Sequence, residues 1–552
     1  MAASSRNGVV GSNGSTAPML PRPMKNSASA SQPRRISRVR RVSGPVRGVL
    51  SSCLKSILRR PGAGLTQINP GPSHSAYDAM KHCIRSGASM ADNLLLDRGL
   101  LRRYDVTGPR YTSYPTAAQF TEDFDAAAYR EHVSWSNGDP IPRALSLYVH
   151  VPFCRTVCFY CACNKVITAN YRRARDYLAR LIDELDLQAA LFAGDRPVEQ
   201  LHLGGGTPTY LSDDDLATLI DAIAERFPLA APERREFSIE VDPRTVDRER
   251  IRHLAALGFN RLSLGVQDFD DDVQKAINRV QGVQATADIV EEARAQGFRS
   301  INLDLMYGLP LQTPERLSRT LDAVMTMRPD RIALYNYAHM PQMFRIQRQI
   351  PDATLPAAEM KLTLLIEAMQ RLAGEGYQYI GMDHFALPGD ELAEAADDGT
   401  LHRNFQGYST RPDLDLIGLG ASSIGQIGDA FTQNIRDPQG HAAAVQAGEL
   451  PIWRGVAMGD DDRLRRDMIQ AVMCRGRVDY AAIETRHGID FAAYFDNALA
   501  ALSPLVDDGL LTLSPGALEV TSRGRLFLRN VAMPFDAYLT PAHSERRFSR
   551  VI

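Results

Sequence analysis

Between residues 145 and 335, short runs of aliphatic and β-branched residues alternate with longer amphipathic stretches. No other feature of the chain restricts its fold as much. Strands are predicted over 145–151, 199–203, 236–241, 261–266, 300–306 and 331–335, with helical patterns near 171–192, 213–227, 246–257, 270–296 and 314–327. Six strands separated by five helices indicate parallel βα units. Right-handed crossovers would curl such a series into an open or partial barrel, with a doubly wound sheet as the alternative; periodicity alone does not separate them.

In parallel α/β architectures ligands gather at the carboxyl ends of the strands, and here those ends carry the chemistry. The first strand is followed by a cysteine cluster and the second by Gly204-Gly205-Gly206-Thr207-Pro208. The third ends at Glu240-Val241-Asp242-Pro243, the fourth at Gln267-Asp268, and the fifth carries Asp304. Polar residues recurring at five successive strands predict one active face. After about residue 350 the alternation stops. A long helix is expected over 357–376, then loops containing 383–385 and 402–408. Residues 460–535 read as helices closed by a hairpin around Ser514-Pro515-Gly516, a pattern resembling a winged helix. The segment is not strongly basic, and such a fold does not fix function, so DNA binding is not inferred. The expected organisation is a basic, disordered extension over 1–92, a leading segment plus barrel over 93–350, and a mainly helical C-terminal domain over 351–552.

The formal net charge of −2 conceals two unlike parts. Residues 1–77 hold twelve Lys and Arg and no Asp or Glu; the remainder carries 51 basic against 65 acidic residues, a net of −14. A Ser-, Arg-, Gly- and Pro-rich head without apolar periodicity cannot offset its ordering entropy. Its composition fits an organellar transit peptide, a basic tail for an acidic partner, or a start assigned too early, Met90 being the alternative start. The acidic body offers no general attraction for nucleic acid, and no apolar run is long enough for a membrane span.

Four of the seven cysteines fall within Cys154-Arg155-Thr156-Val157-Cys158-Phe159-Tyr160-Cys161-Ala162-Cys163, a C-x3-C-x2-C-x-C spacing. Structural zinc usually takes two well-separated ligand pairs, and sparse cysteine argues against a disulfide framework. An iron–sulfur cubane normally takes four thiolates, whereas three on a tight loop leave one iron open for a further ligand.

The C-x3-C-x2-C spacing, with an aromatic before the third cysteine and a βα series behind it, resembles the signature of radical S-adenosylmethionine enzymes. The resemblance implies that Cys154, Cys158 and Cys161 ligate one [4Fe–4S] cluster while S-adenosylmethionine chelates the fourth iron; Cys163 is left as a non-ligand thiol. Narrower motifs are Gly108-Pro109-Arg110-Tyr111-Thr112-Ser113-Tyr114-Pro115-Thr116-Ala117, His202-Leu203 before the glycine run, and Gly265-Val266-Gln267-Asp268-Phe269. They continue with Gly381-Met382-Asp383-His384-Phe385-Ala386, His402-Arg403-Asn404-Phe405-Gln406-Gly407-Tyr408 and Phe548-Ser549-Arg550-Val551-Ile552. Together, from about Leu94 to the last residue, they resemble the oxygen-independent coproporphyrinogen III oxidases. That family implies an incomplete six-unit βα barrel and two S-adenosylmethionine molecules. The first would contact Tyr148, Gly205, Glu240 and Ile424; the second Tyr160, Gly206, Thr207, Gln267, Arg279, Asp304 and Ala338.

The implied reaction is oxidative decarboxylation of two propionates of coproporphyrinogen III to vinyl groups, giving protoporphyrinogen IX through a 5′-deoxyadenosyl radical. A shielded barrel suits a primary carbon radical. The loop from Tyr111 to Tyr114 is either a cover for the barrel mouth or a packed leading segment. An acidic body must meet a substrate with four carboxylates through local cations, for which Arg110 and Arg403 are the candidates. The competing readings are a haem-binding or haem-trafficking relative, against which Cys163 and the Tyr111–Thr116 motif speak, and a radical enzyme acting on another tetrapyrrole. A cytoplasmic monomer served by an unidentified reductant and electron acceptor is expected, with organellar targeting by residues 1–77 left open.

Overall fold

The structure, a computed structural model, describes residues 97–539. The expected disordered extension, both candidate starts and the closing motif at 548–552 lie outside the described residues. The six expected strands form as β1 (Leu145–Val151), β2 (Val198–Gly205), β3 (Glu236–Val241), β4 (Arg261–Gln267), β5 (Ser300–Tyr307) and β6 (Arg331–Asn336). They pair in parallel in chain order. Every position of β1 except Tyr148 is buried, as expected of a strand covered on both faces.

The crossover helices start where side chains satisfy their free N–H groups. Ser212 caps Asp213–Arg226, whose first turn carries Asp213, Asp214 and Asp215 against the helix dipole. Thr313 caps Pro314–Met327, where proline at the first position gives up no needed donor. The single helix expected over 270–296 is instead two, Asp271–Ala276 and Val283–Ala295. The chain breaks at Asn278, which adopts a left-handed φ of 54°, and the intervening turn carries Arg279.

The end of the βα alternation near residue 350 is not the end of the sheet. β7 (Gln378–Gly381) and β8 (His384–Ala386) extend it antiparallel beyond β6, through β8. β9 (Asp415–Leu419) pairs in parallel with the free edge of β1 and continues into an antiparallel meander of β10 (Ile424–Ile427), β11 (Ala430–Asn434) and β12 (Ile452–Ala457). The order is β12-β11-β10-β9-β1-β2-β3-β4-β5-β6-β8-β7. β1 and β6 are therefore not neighbours, and the barrel is a partial one. The loops expected at 383–385 and 402–408 are, respectively, β8 and a hairpin pairing His402–Asn404 with Gly407–Ser409.

One buried carboxylate ties the late strands to the early units. Glu184, on the helix Arg172–Ala189, accepts from Gly420 N–H at 2.8 Å and Asn434 Nδ2 at 2.7 Å, and lies 2.9 Å from His441 Nε2. Glu184→Ala strands these buried groups together, so it is expected to cost about 3 kcal/mol, read as a lower urea midpoint.

Residues 460–535 form the expected winged-helix-like unit, mainly helical, with a small sheet of Arg477–Asp479, Leu511–Ser514 and Ala517–Val520. Its core of Met468, Phe491, Phe495 and Phe535 also takes in Tyr111 and Tyr114. Tyr111 donates its hydroxyl to Asp536 at 3.0 Å, and Tyr114 Oη accepts from Ala537 N–H at 3.0 Å. Of the two readings of this loop, the packed one agrees with these contacts.

Candidate active site

The cysteine loop springs from the carboxyl end of β1. Phe153–Cys154 pairs in parallel with Val166–Ile167, closing the loop into a small ladder that fixes both its ends. Cys154 Sγ lies 3.4 Å from Thr207 Oγ1. Cys158 is buried and its sulfur accepts from Arg279 Nη1 at 3.5 Å and Arg244 Nη2 at 3.6 Å. Both guanidiniums also pair with Asp242, at 3.2 and 2.7 Å.

Burial pushes the Cys154 thiol up to about 11. A hydrogen bond from Cys163, helped by Lys165, holds the Cys161 thiol below its ordinary value despite burial, while the Cys163 thiol is held up. Only a lowered thiol is substantially thiolate at neutral pH. In cluster-free protein Cys161 is therefore expected to be alkylated by iodoacetamide well before Cys154 or Cys163. Peptide mapping would read that order, and the rate at Cys161 should fall as pH is lowered.

Among the described residues, no three or more His, Cys, Asp or Glu side chains are grouped tightly enough for one metal ion. Cubane ligands stand further apart, separated by the cluster itself. A loop of three thiols whose most buried sulfur already faces two guanidiniums suits a negatively charged iron–sulfur centre.

The glycine run lies flat against this loop. Gly206 N–H donates to Val151 O at 2.8 Å and Thr207 N–H to Phe153 O at 2.9 Å. A Cβ on Gly206 would sit 2.7 Å from the Pro152 carbonyl, and one on Gly205, at φ +117°, 2.6 Å from the His150 ring. Gly205 N–H donates to Glu240 Oε2 at 3.1 Å, and His202 Nε2 lies 3.4 Å from Glu240 Oε1. Burial works to raise the Glu240 carboxyl, but His202 and the Gly205 amide outweigh it and hold the carboxyl low. Its side chain stays 45% exposed, so an ionised oxygen remains open to a ligand. Tyr148 stacks on His202 at 5.7 Å and pairs across the ladder with Gly418, which lies against the Ile424 carbonyl. Tyr148, Gly205, Glu240 and Ile424 thus share one stretch of rim.

The remaining expected residues gather on the next stretch. Gln267 sits at a bulge between β4 and β5 with φ 70°, the kind of local kink that re-aims a side chain beside a site. Arg279 Nε donates to Gly265 O at 3.1 Å. Asp304 accepts from Asn302 at 2.8 Å and Ser263 at 3.2 Å; burial, then Glu240, pushes its carboxyl up to about 7. Gln347 donates to both Tyr160 O, at 2.9 Å, and Ala338 O, at 3.3 Å, holding these two residues together. A cavity of about 180 Å³ runs down the barrel interior, lined by Glu240, Asp304, Tyr335, His384 and Tyr408. A second, of about 370 Å³, is lined by Arg110, Asn336, Ala338, Lys361 and Arg529.

Residues 148–324 match the Radical SAM superfamily, and residues 460–527 match the HemN C-terminal domain. The chain is 49% identical over 467 residues to the oxygen-independent coproporphyrinogen III oxidase of Pseudomonas aeruginosa, covering 84% of this chain and 100% of that protein. It belongs to the oxygen-independent coproporphyrinogen III oxidase family. The enzyme of the same name from Escherichia coli K12 is 47% identical over 456 residues, covering 83% of this chain and 98% of that one. The solved coproporphyrinogen III oxidase of Escherichia coli, a radical SAM enzyme, superposes with a TM-score of 0.76 at 46% identity, covering 80% of this chain and 99% of that chain.

Several residues of this family member's rim were not legible beforehand. Arg244 and Gln347 carry no motif of their own, and their roles follow from which backbone or sulfur atoms they reach across the fold. Asp242 had a signal, its place at the end of β3, but its two arginine partners lie 2 and 37 positions away.

Proposed function

We propose that this chain converts coproporphyrinogen III to protoporphyrinogen IX without oxygen, by oxidative decarboxylation of two propionate side chains. The reading rests on the likeness to coproporphyrinogen III oxidases along almost their entire length. Cys154, Cys158 and Cys161 would hold a [4Fe–4S] cluster, and the two stretches of rim would hold two S-adenosylmethionine molecules. When bound, these groups supply an electron and a carbon radical able to take hydrogen from the propionate β-carbon.

The chain's own residues supply position, charge and exclusion of water. Arg244 and Arg279 offset charge on Cys158 while Asp242 keeps both in place. Glu240, ionised and half-open, would accept hydrogen bonds from the ligand of the first stretch. Asp304, titrating near neutrality, would hold a proton towards ribose oxygens of the second. Gly205 and Gly206 let backbone, rather than side chain, meet the cofactor. The free thiols of the loop call for a reducing compartment, so the cytoplasm is the proposed location. Among the described residues no helix is long and apolar enough to cross a membrane. A monomer is the proposed working unit. A one-electron reductant and a final electron acceptor complete the set of partners.

The test is an anaerobic assay of the reconstituted full chain with coproporphyrinogen III, S-adenosylmethionine and a reductant. Protoporphyrin after oxidation, carbon dioxide and 5′-deoxyadenosine are expected together. Cleavage of S-adenosylmethionine without decarboxylation would transfer the proposal to another substrate, and tight haem binding with neither product would favour the trafficking alternative. Removing residues 1–89 is expected to leave turnover unchanged.

A further inference from the structure

Arg403 stands in the hairpin that follows the barrel strands, and only 3% of its surface is exposed. Its Nε and Nη1 are buried without a hydrogen-bond partner among the described residues, and no carboxylate among them forms an ion pair with it. Its guanidinium lies over the Tyr408 ring, 4.7 Å from the centroid. Tyr408, Gln406 and His384 line the barrel cavity that also reaches Glu240 and Asp304, and Arg403 meets that cavity through the Tyr408 ring, while its own surface lines a wider cleft beside Ser113, Asp429, Phe431 and Gln470. Gln406 Nε2 and His384 Nδ1 are likewise buried and unbonded. Cations crowd His384 and Arg529 at this end, away from Glu240 and Asp304: burial, then Arg403, Arg110 and Arg331, hold His384 down at about 3, and burial with Arg110 and Arg403 pulls Arg529 to about 9. Arg110 differs from Arg403 in having a partner, Asp383.

A buried guanidinium without an anion is costly, which makes it a seat for an anionic ligand that supplies the missing charge. We propose that Arg403 is the carboxylate anchor of the barrel, receiving a propionate of the substrate, with Gln406 as an adjoining donor. The inference rests on the tetrapyrrole reading above and adds a residue that grips the substrate. Arginine suits the task because its planar fork meets a carboxylate with two parallel hydrogen bonds. A carboxylate is also present on S-adenosylmethionine, so the experiment separates the two sources.

Arg403→Gln and Arg403→Lys would be prepared as reconstituted full-length enzyme. KM for coproporphyrinogen III is expected to rise roughly 10- to 100-fold in Arg403→Gln, the loss of one charge-assisted contact, with KM for S-adenosylmethionine unchanged. Arg403→Lys should recover part of the loss. The unfolding midpoint of the substrate-free variant should stay level or rise, since an uncompensated charge has been removed. A lower midpoint with an unchanged KM for coproporphyrinogen would overturn the proposal in favour of a structural role. A shift confined to the KM for S-adenosylmethionine would overturn it in favour of that carboxylate. If the wild-type chain fails to turn over coproporphyrinogen III, the function proposal falls. Binding of fluorescent coproporphyrin III to wild type and Arg403→Gln then tests the anchor alone: equal affinities would overturn it, and weaker binding by the variant would sustain it.

Discussion

Cys158→Ala is expected to reduce protoporphyrinogen formation to assay background while leaving the fold in place. The sulfur is the most buried of the three proposed cluster thiols and the acceptor for Arg244 and Arg279, yet it lies outside the main barrel core. Both guanidiniums keep Asp242 when the sulfur is removed, so the expected stability loss is no more than about 1 kcal/mol. The loss in function is of another order, because a cluster held by two thiolates does not keep one iron open in a fixed direction. Iron and sulfide per chain after reconstitution, read beside the unfolding midpoint, separate the two effects. Cys163→Ala should retain iron and most activity. It removes the hydrogen bond that lowers the Cys161 thiol, so Cys161 alkylation in cluster-free protein should slow. Full iron content in Cys158→Ala would refute the ligand assignment.

The second large effect is expected at Gly206. A methyl group there meets the Pro152 carbonyl carbon and oxygen at 2.7 Å and Phe153 O at 2.9 Å. These are backbone atoms at the base of the cysteine loop, and no rotamer change relieves the contact. Gly206→Ala must push the loop and the glycine run apart, breaking register between Gly206 N–H and Val151 O. The expected cost is about 2 kcal/mol in stability from overpacking. Activity should fall roughly 100-fold, the penalty for misplacing reacting groups by about an ångström. Gly194→Ala is the control, since a Cβ there meets nothing within 4 Å. Anaerobic titration with S-adenosylmethionine and denaturant unfolding would check both values; wild-type affinity in Gly206→Ala would show that the loop accommodates the methyl group.

Where sequence sufficed, the information was local. The βα units could be drawn from residues 145 to 335 because a buried strand and an amphipathic helix each announce themselves within a single element. The cysteine spacing and the glycine run are likewise contiguous, so their chemistry needs no folding to be noticed. The late strands were harder. β8 has three residues and β9 five, too short for a period, and β9 joins β1 from 270 positions away in chain numbering. Short strands are specified by the edge that receives them, not by their own residues. The break at Asn278 was hidden for a related reason: 270–296 is amphipathic enough for one helix, and only the turn's contacts with Gly265, Asp242 and Cys158 favour leaving it.

Tyr111 and Tyr114 show the same division. Their motif pointed to the family, but the sequence left open whether the loop covers or packs; Asp536 and Ala537, more than four hundred residues later, favour packing. Arg403 shows it most sharply. In the sequence it is one of 63 basic residues and a candidate only because an acidic body must somehow meet a tetracarboxylate. That it is buried, stacked on Tyr408 and without a partner anion among the described residues is a property of the space around it. Sequence by itself determined the alternating units, the thiol spacing and the rim on which chemistry collects, because each is written within a few consecutive residues. Tertiary structure alone decided how the late strands extend the barrel, which charges are compensated and which are left for a ligand, because burial and pairing depend on what distant segments bring alongside.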